Sequence, residues 1–193
     1  MNRSLRRVVI FVALLNLAYF GFEFATARAI GSVSLFADSV DFLEDASLNL
    51  LIAIALGWGA GNRARLGMVL AGILLIPGIA TLWTAWEKIH TLLAPSPLQL
   101  SMTAAGALVV NLCCGLLLAR FRKHSGSLTR AAFLSSRNDV LANVAMIATA
   151  LVTAYTRSGW ADLVVGLRIA ALNADAAREV WTAARKEGRL AEN

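Results

Sequence analysis

Residues 33–58 read VSLFADSVDFLEDASLNLLIAIALGW, a long apolar run that is interrupted by four acidic side chains. An α-helix rises about 1.5 Å per residue, so ~20 apolar residues cross the ~30 Å hydrocarbon core of a bilayer. The quoted run meets that length. In the whole chain 58% of the residues are hydrophobic and 16% are charged, against roughly 25% charged in soluble domains. The composition therefore predicts a protein embedded in a lipid bilayer.

Similar apolar runs lie on both sides of this stretch. The sixth is the weakest, because it contains Arg168 and polar residues follow Leu172. It is interpreted as a packed helix with one polar face, and an interfacial helix is the alternative. The six runs are approximately Val8–Ala27, Val33–Trp58, Leu66–Trp86, Met102–Leu118, Ala131–Tyr155 and Ala161–Trp181.

The runs predict an all-α integral membrane protein with six transmembrane helices. Residues 1–182 are expected to form the transmembrane domain. Residues 183–193 are expected to form a short polar cytoplasmic tail, with no soluble C-terminal domain after it. The basic start followed by an apolar run could also be a cleaved signal peptide. Asn16, Tyr19 and Glu23 within that run, and the five runs that follow it, favour a retained helix.

Basic residues alternate between the connections of the chain. Clusters occur at the amino end, in the second and fourth loops and in the tail, whereas the other loops are assigned only Arg28, Lys88 and Arg157. The positive-inside rule then places both termini in the cytoplasm, which requires an even number of spans. We expect a multi-pass protein of the cell inner (plasma) membrane. The formal charge of +6 is attributed to this topology and not to nucleic-acid binding, since the basic residues lie between apolar runs.

The acidic residues of the second run are the strongest functional signal. One Asp at the centre of a membrane helix costs about 2.5–3.5 kcal/mol on translocon scales, so such residues usually have a function. Asp41 and Asp45 are four residues apart and share one helix face, and Asp38 joins the same stripe. The alternative is a polar seam that pairs with Arg137 and Arg168.

The fifth run offers a matching pair. Ser135 and Asp139 are also four residues apart, so two facing helices could enclose one ion with four ligands. Carboxylate oxygens suit hard and borderline divalent cations. Together the two helices predict a divalent-cation site within the membrane.

Several segments resemble the cation diffusion facilitator family. Residues 32–45, SVSLFADSVDFLED, are similar to its second helix, where Ser-x-Leu and Ala-Asp precede a His or Asp and then an Asp four residues later. Residues 131–139, AAFLSSRND, resemble its fifth helix. Residues 86–89 with Pro95 resemble the end of its third helix, and residues 161–166 the start of its sixth. Glu23 matches a frequent acid of its first helix.

The resemblance implies a divalent transition-metal transporter that is not an enzyme, has no cofactor and forms a homodimer. Asp41, Asp45 and Asp139 correspond to ligands of the transported ion, and Ser135 departs from the family at the fourth position. Either three carboxylates and a water bind the ion, or Asn138 or Asp38 supplies another oxygen. The ion is expected to be zinc, manganese, iron, cobalt or cadmium. All-oxygen ligation favours manganese or iron, since zinc prefers nitrogen and sulfur.

Metal binding would expel protons from neighbouring carboxylates, so the expected mechanism is alternating access with metal/proton antiport. Glu44 and Arg137 are expected to form a salt bridge between the second and fifth helices, and the alternative is that each faces an aqueous vestibule. Two other functions stay open. One is a transport-incompetent partner subunit of a full-length relative. The other is a metal-dependent membrane enzyme, although no Asp-Gly-x-x-Ala-Arg precedes Asp41 as phosphatidyl-alcohol transferases require.

Overall fold

The structure is a computed structural model that describes the backbone of residues 3–55, 60–91, 93–120 and 126–192. Within these ranges it leaves undescribed the side chains of residues 3, 55, 60–61, 63–64, 66–67, 70–78, 126–138, 173, 176–177, 179–180, 183–184 and 186–192.

The described chain forms six helices and is all-α, as predicted. They are α1 (Arg3–Ile30), α2 (Val33–Ala55), α3 (Ala60–Thr91), α4 (Pro97–Ala119), α5 (Gly126–Thr156) and α6 (Trp160–Glu192).

Most of the helices extend beyond the apolar runs that predict them. The run of the third helix ends at Trp86, whereas α3 continues to Thr91. α4 begins at Pro97, which is favourable at a helix start because proline has no N–H to leave unpaired. α6 continues through the residues predicted as a tail, up to Glu192. The difference arises because hydropathy marks the part of a helix in hydrocarbon, while backbone hydrogen bonding continues into polar surroundings.

α2 is the central helix, since it packs against all five others. The most extensive contacts pair α1 with α2, α3 with α6 and α4 with α5. The first half of α2 is buried without a break from Val33 to Val40. Its Leu35, Phe36 and Ala37 lie in the largest apolar cluster, which α1, α4, α5 and α6 complete. Polar side chains on α2 are therefore enclosed by the bundle.

Two glycines allow close approach at one end of α2. Gly31 makes the turn from α1 with a φ of 63°, in the left-handed region that favours glycine. Gly166 of α6 lies against the start of α2, where a Cβ atom would lie 2.6 Å from the carbonyl carbon of Val33. Any side chain at position 166 would require a shift of the neighbouring atoms. The backbones of α6 and α2 are therefore in direct contact at Gly166.

The outer surface of the bundle is apolar, and its interior holds polar side chains beside the apolar clusters. Large apolar side chains point outward, including Phe11, Leu116 and Leu151. By contrast Asn16 and Asn143 are fully buried. Exposed apolar surface of this extent is unfavourable in water and typical of a lipid-facing surface.

Three segments of the described chain are long and apolar enough to cross a membrane: Ser4–Ile30, Pro97–Ala119 and Asp139–Thr156. The protein is thus a membrane protein with six helices. The predictions of six spans and of cytoplasmic termini go beyond these three segments and stay predictions.

Candidate cation site

The acidic stripe of α2 lies inside the bundle. Asp38 is fully buried, Asp45 and Glu44 are almost so, and Asp41 is half-buried. Because α2 packs against every other helix, this stripe faces neighbouring helices and not lipid. The prediction that α2 holds its carboxylates within the protein agrees with the structure.

Asp139 of α5 belongs to the same group of charges. It acts electrostatically on Asp41, and Asp45, Asp38 and Glu44 act on it in turn. α2 and α5 therefore both contribute carboxylates to this group of charges. Charges of one sign that are held so near each other in a membrane interior require a positive charge to balance them.

The structure describes only part of the proposed metal site. In the part of the chain that the structure describes, no three His, Cys, Asp or Glu side chains lie close enough together to hold one ion. Ser135, Arg137 and Asn138 lie on α5, but their side chains are outside the described residues. The four-ligand set and the Glu44–Arg137 salt bridge accordingly stay predictions.

Asp45 is positioned by side chains from two other elements. Asn16 of α1 donates from Nδ2 to Asp45 Oδ2 at 3.5 Å. Cys114 of α4 lies 3.4 Å from Asn16 Oδ1 through its thiol. Asn49, one turn further along α2, donates to the backbone carbonyl of Asp45 at 2.8 Å. The polar group around Asp45 thus joins α1, α2 and α4.

A second polar layer surrounds Asp38. Asn143 of α5 donates from Nδ2 to Asp38 Oδ2 at 2.8 Å. Asn111 of α4 donates to Asn143 Oδ1 at 3.1 Å. The sequence reasoning did not single out Asn143 for this role, although it follows Asp139 by four residues and so lies on the same face of α5.

The sequence matches the protein-family model of the cation efflux transmembrane domain over residues 9–186. This match covers nearly the whole chain. The protein belongs to the cation efflux family. No curated protein matches the sequence. Family membership agrees with the resemblance of the α2 and α5 segments, and it supports a membrane-embedded cation transporter as opposed to an enzyme.

This cation efflux domain has another buried charge group, centred on Asp162 at the start of α6. Its carboxylate accepts hydrogen bonds from the backbone N–H groups of Val33 and Ser34 at 2.9 and 3.2 Å. The hydroxyls of Ser32 and Ser34 also donate to it, each at 2.6 Å. Asp162 therefore caps α2 from another helix, satisfying N–H groups that a helix start leaves unpaired.

Lys88 completes the Asp162 group, and the prediction for Lys88 is wrong. The charge pattern assigned Lys88 to a loop, whereas it lies within α3 with its side chain buried, in line with the resemblance of residues 86–89 to the end of a third helix. Its Nζ is 2.7 Å from Asp162 Oδ2 and 2.6 Å from the carbonyl oxygen of Gly31. A lysine at the end of an apolar run commonly extends to the membrane interface. The one sequence signal for a buried partner was the acidic residue Asp162 at the start of the sixth apolar run. This group ties together α2, α3 and α6.

Proposed function

We propose that this protein carries a divalent transition-metal ion across the membrane. The observation that carries the proposal is the acidic stripe of α2, which is enclosed by the bundle and interacts with Asp139 of α5. Membership of the cation efflux family supports a cation as the substrate. Carboxylates inside a membrane are costly, and a transported dication is the charge that would balance them.

The proposed ligands of the ion are Asp41, Asp45 and Asp139, with Ser135 or a water at the fourth position. Asn138 or Asp38 could supply a further oxygen. Among zinc, manganese, iron, cobalt and cadmium, the oxygen-rich set favours manganese or iron.

Transport is proposed to follow alternating access with proton exchange. When the ion leaves, the buried carboxylates still repel one another, and protons are the other positive charge that can reach them. Binding of the next ion displaces those protons. Protons entering from outside would then drive export from the cytoplasm across the cell inner membrane. We propose that both termini are cytoplasmic and that the transporter acts as a homodimer, as the family resemblance implies.

Reconstituted protein tests this mechanism. Liposomes containing the full chain are offered manganese, iron, zinc, cobalt or cadmium, with and without an acidic lumen. We expect ion entry to be faster with the acidic lumen, and the lumen to become less acidic as the ion enters. Equal rates with and without the gradient would exclude proton coupling while leaving transport intact.

One alternative has a specific observation in its favour. A hydroxyl at position 135 is a weaker ligand than the His or Asp that the family resemblance places there. The chain could then be a partner subunit that assists a full-length relative and transports nothing alone. Absence of uptake of all five ions by folded protein would support this second function.

A further inference from the structure

Glu23 of α1 is an acid that the proposed transport site does not use. It is fully buried, and neither of its carboxylate oxygens has a hydrogen-bond partner of ordinary geometry among the described residues. An ionised carboxylate in this state loses its hydration without compensation, which is among the most unfavourable arrangements in a protein. Such a group is stabilised either by a proton or by a bound cation.

Asp38 of α2 is the group that faces Glu23. The two carboxyl groups interact directly, and the further charge acting on Asp38 is that of Asp45, also an acid. Asp38 is fully buried as well, and its Oδ1 atom has no hydrogen-bond partner in the described part of the chain. Three buried carboxylate oxygens from two helices thus have no described partner other than each other's carboxyl group.

The neighbouring amides hold this arrangement in place. Asn143 donates a hydrogen bond to Asp38 Oδ2, and Asn111 in turn donates to Asn143 Oδ1. The Oδ1 atom of Asn111 is itself buried without a described partner. The amide donors are therefore used to orient Asp38, and oxygens remain available. An excess of oxygen acceptors over donors is the chemistry of a cation site.

We propose that Glu23 and Asp38 form a second cation-binding site beside the proposed site at Asp41, Asp45, Ser135 and Asp139, so that Asp38 serves this second site and is not the further oxygen of the first. The inference rests on the proposed function, since its ligand is a divalent cation of the same kind. Two carboxylates balance the charge of one dication. No third His, Cys, Asp or Glu among the described residues joins them, so amide oxygens or water would complete the coordination. Manganese, a hard ion with oxygen preference, suits this set.

The position of the pair indicates its role. Asp38 precedes Asp41 by three residues and Asp45 by seven on α2, which is about 4.5 Å and about 10 Å at the rise of an α-helix. It lies on the side of the α1–α2 turn, and Glu23 lies in the last third of α1, near the same turn. An ion that moves from the first site along α2 toward this turn meets the second site next. The pair therefore gives the ion a second binding position along its path.

Equilibrium binding of manganese to the purified full chain in detergent tests the inference. We expect two ions per wild-type chain and one in Glu23→Gln. Asp45→Asn should also bind one ion, and the double variant should bind none. Glu87→Gln is the matched control, because Glu87 is an exposed glutamate of α3, and it should still bind two. Asp38→Asn serves as a second test of the same site if Glu23→Gln does not fold.

The outcomes separate this inference from the proposed function. One ion per wild-type chain that is kept in Glu23→Gln and lost in Asp45→Asn would overturn the second site, and Glu23 would then share a proton with Asp38. In that case the transport proposal still stands. No manganese bound by folded wild-type protein would contradict both.

Discussion

At the scale of single residues, Ser135 is the position where this chain departs from the family pattern. The proposed site is rich in oxygen because a hydroxyl stands where the family resemblance places a His or Asp. Ser135→His would add a nitrogen ligand four residues before Asp139, on the same face of α5. Zinc prefers nitrogen ligands more than manganese does. We therefore expect the ratio of zinc to manganese uptake to rise about tenfold or more. A tenfold change corresponds to a difference of about 1.4 kcal/mol in relative affinity.

Competition between the two ions in reconstituted liposomes measures this ratio. Ser136→His is the control, because adjacent positions of an α-helix do not share a face, and it should leave the ratio unchanged. An unchanged ratio in active Ser135→His protein would mean that position 135 does not contact the ion.

Lys88 and Asp162 lead to a prediction about stability. Lys88→Met leaves Asp162 buried without its cation, and breaking one partner of a buried pair costs about 3–5 kcal/mol. We expect thermal unfolding in detergent to occur at a clearly lower temperature. Adding Asp162→Asn to Lys88→Met removes the unpaired charge, so the double variant should recover part of the loss. A double variant that is less stable than Lys88→Met would show that Asp162 acts mainly through its hydrogen bonds to α2.

The residues whose place in the site could be predicted differ from the others in the energetic cost of burying them in a membrane. Asp38, Asp41 and Asp45 stand out because a charge in an apolar run is expensive and rare. Asn143 costs far less in a membrane, so its position in the polar layer carries no comparable signal. Lys88 lies where an apolar run ends, and sequence cannot distinguish a lysine that reaches outward from one that reaches a buried acid.

At the scale of helices, the contact of α6 with α2 depends on Gly166. A Cβ atom at position 166 would be 2.7 Å from the backbone nitrogen of Ser34, next to the hydrogen bonds of Asp162. Backbone cannot move as a flexible side chain can, so Gly166→Ala should destabilise the protein by about 1–3 kcal/mol through overpacking. The thermal unfolding midpoint in detergent measures this loss.

Gly21 provides the control for that substitution. No atom lies within 4 Å of the place where its Cβ would be. Gly21→Ala should be neutral or slightly stabilising, since alanine is the better helix former. Equal effects of the two substitutions would contradict the close contact between α6 and α2.

Glu44 and Arg137 give the second prediction at this scale. If they join α2 to α5, then Glu44→Arg and Arg137→Glu should each reduce transport, because each places two like charges at the contact. The double variant restores opposite charges and should recover most of the activity. Manganese uptake by the three variants measures the coupling between the two residues. A double variant as inactive as the worse single one would exclude the salt bridge.

The helices themselves were largely predictable, whereas their arrangement was not. Each apolar run lies mainly within one helix because the 30 Å hydrocarbon core and the helical rise together determine a length. Hydropathy does not reveal which helices are neighbours. The central place of α2 comes from contacts such as Val33 with Gly166, which have no local pattern in the sequence, and the pairing of α3 with α6 has none either.

At the scale of the whole molecule, the buried polar groups form two separate systems. One comprises the carboxylates and amides contributed by α1, α2, α4 and α5. The other is the Asp162 group, which joins α2, α3 and α6. α2 belongs to both. This division suits a transporter in which the helices around the ion rearrange while the start of α2 remains attached to α3 and α6.

We propose that the enclosed carboxylates of α2 bind the transported ion, and the decisive variant is Asp45→Asn. The substitution keeps the size of the side chain and removes its charge. Manganese uptake into liposomes with an acidic lumen is compared for wild type, Asp45→Asn and the control Asp175→Asn, whose aspartate is exposed on α6. We predict that Asp45→Asn falls to the level of protein-free liposomes while the control transports like wild type. Wild-type rates in folded Asp45→Asn would contradict the claim that this carboxylate carries the ion.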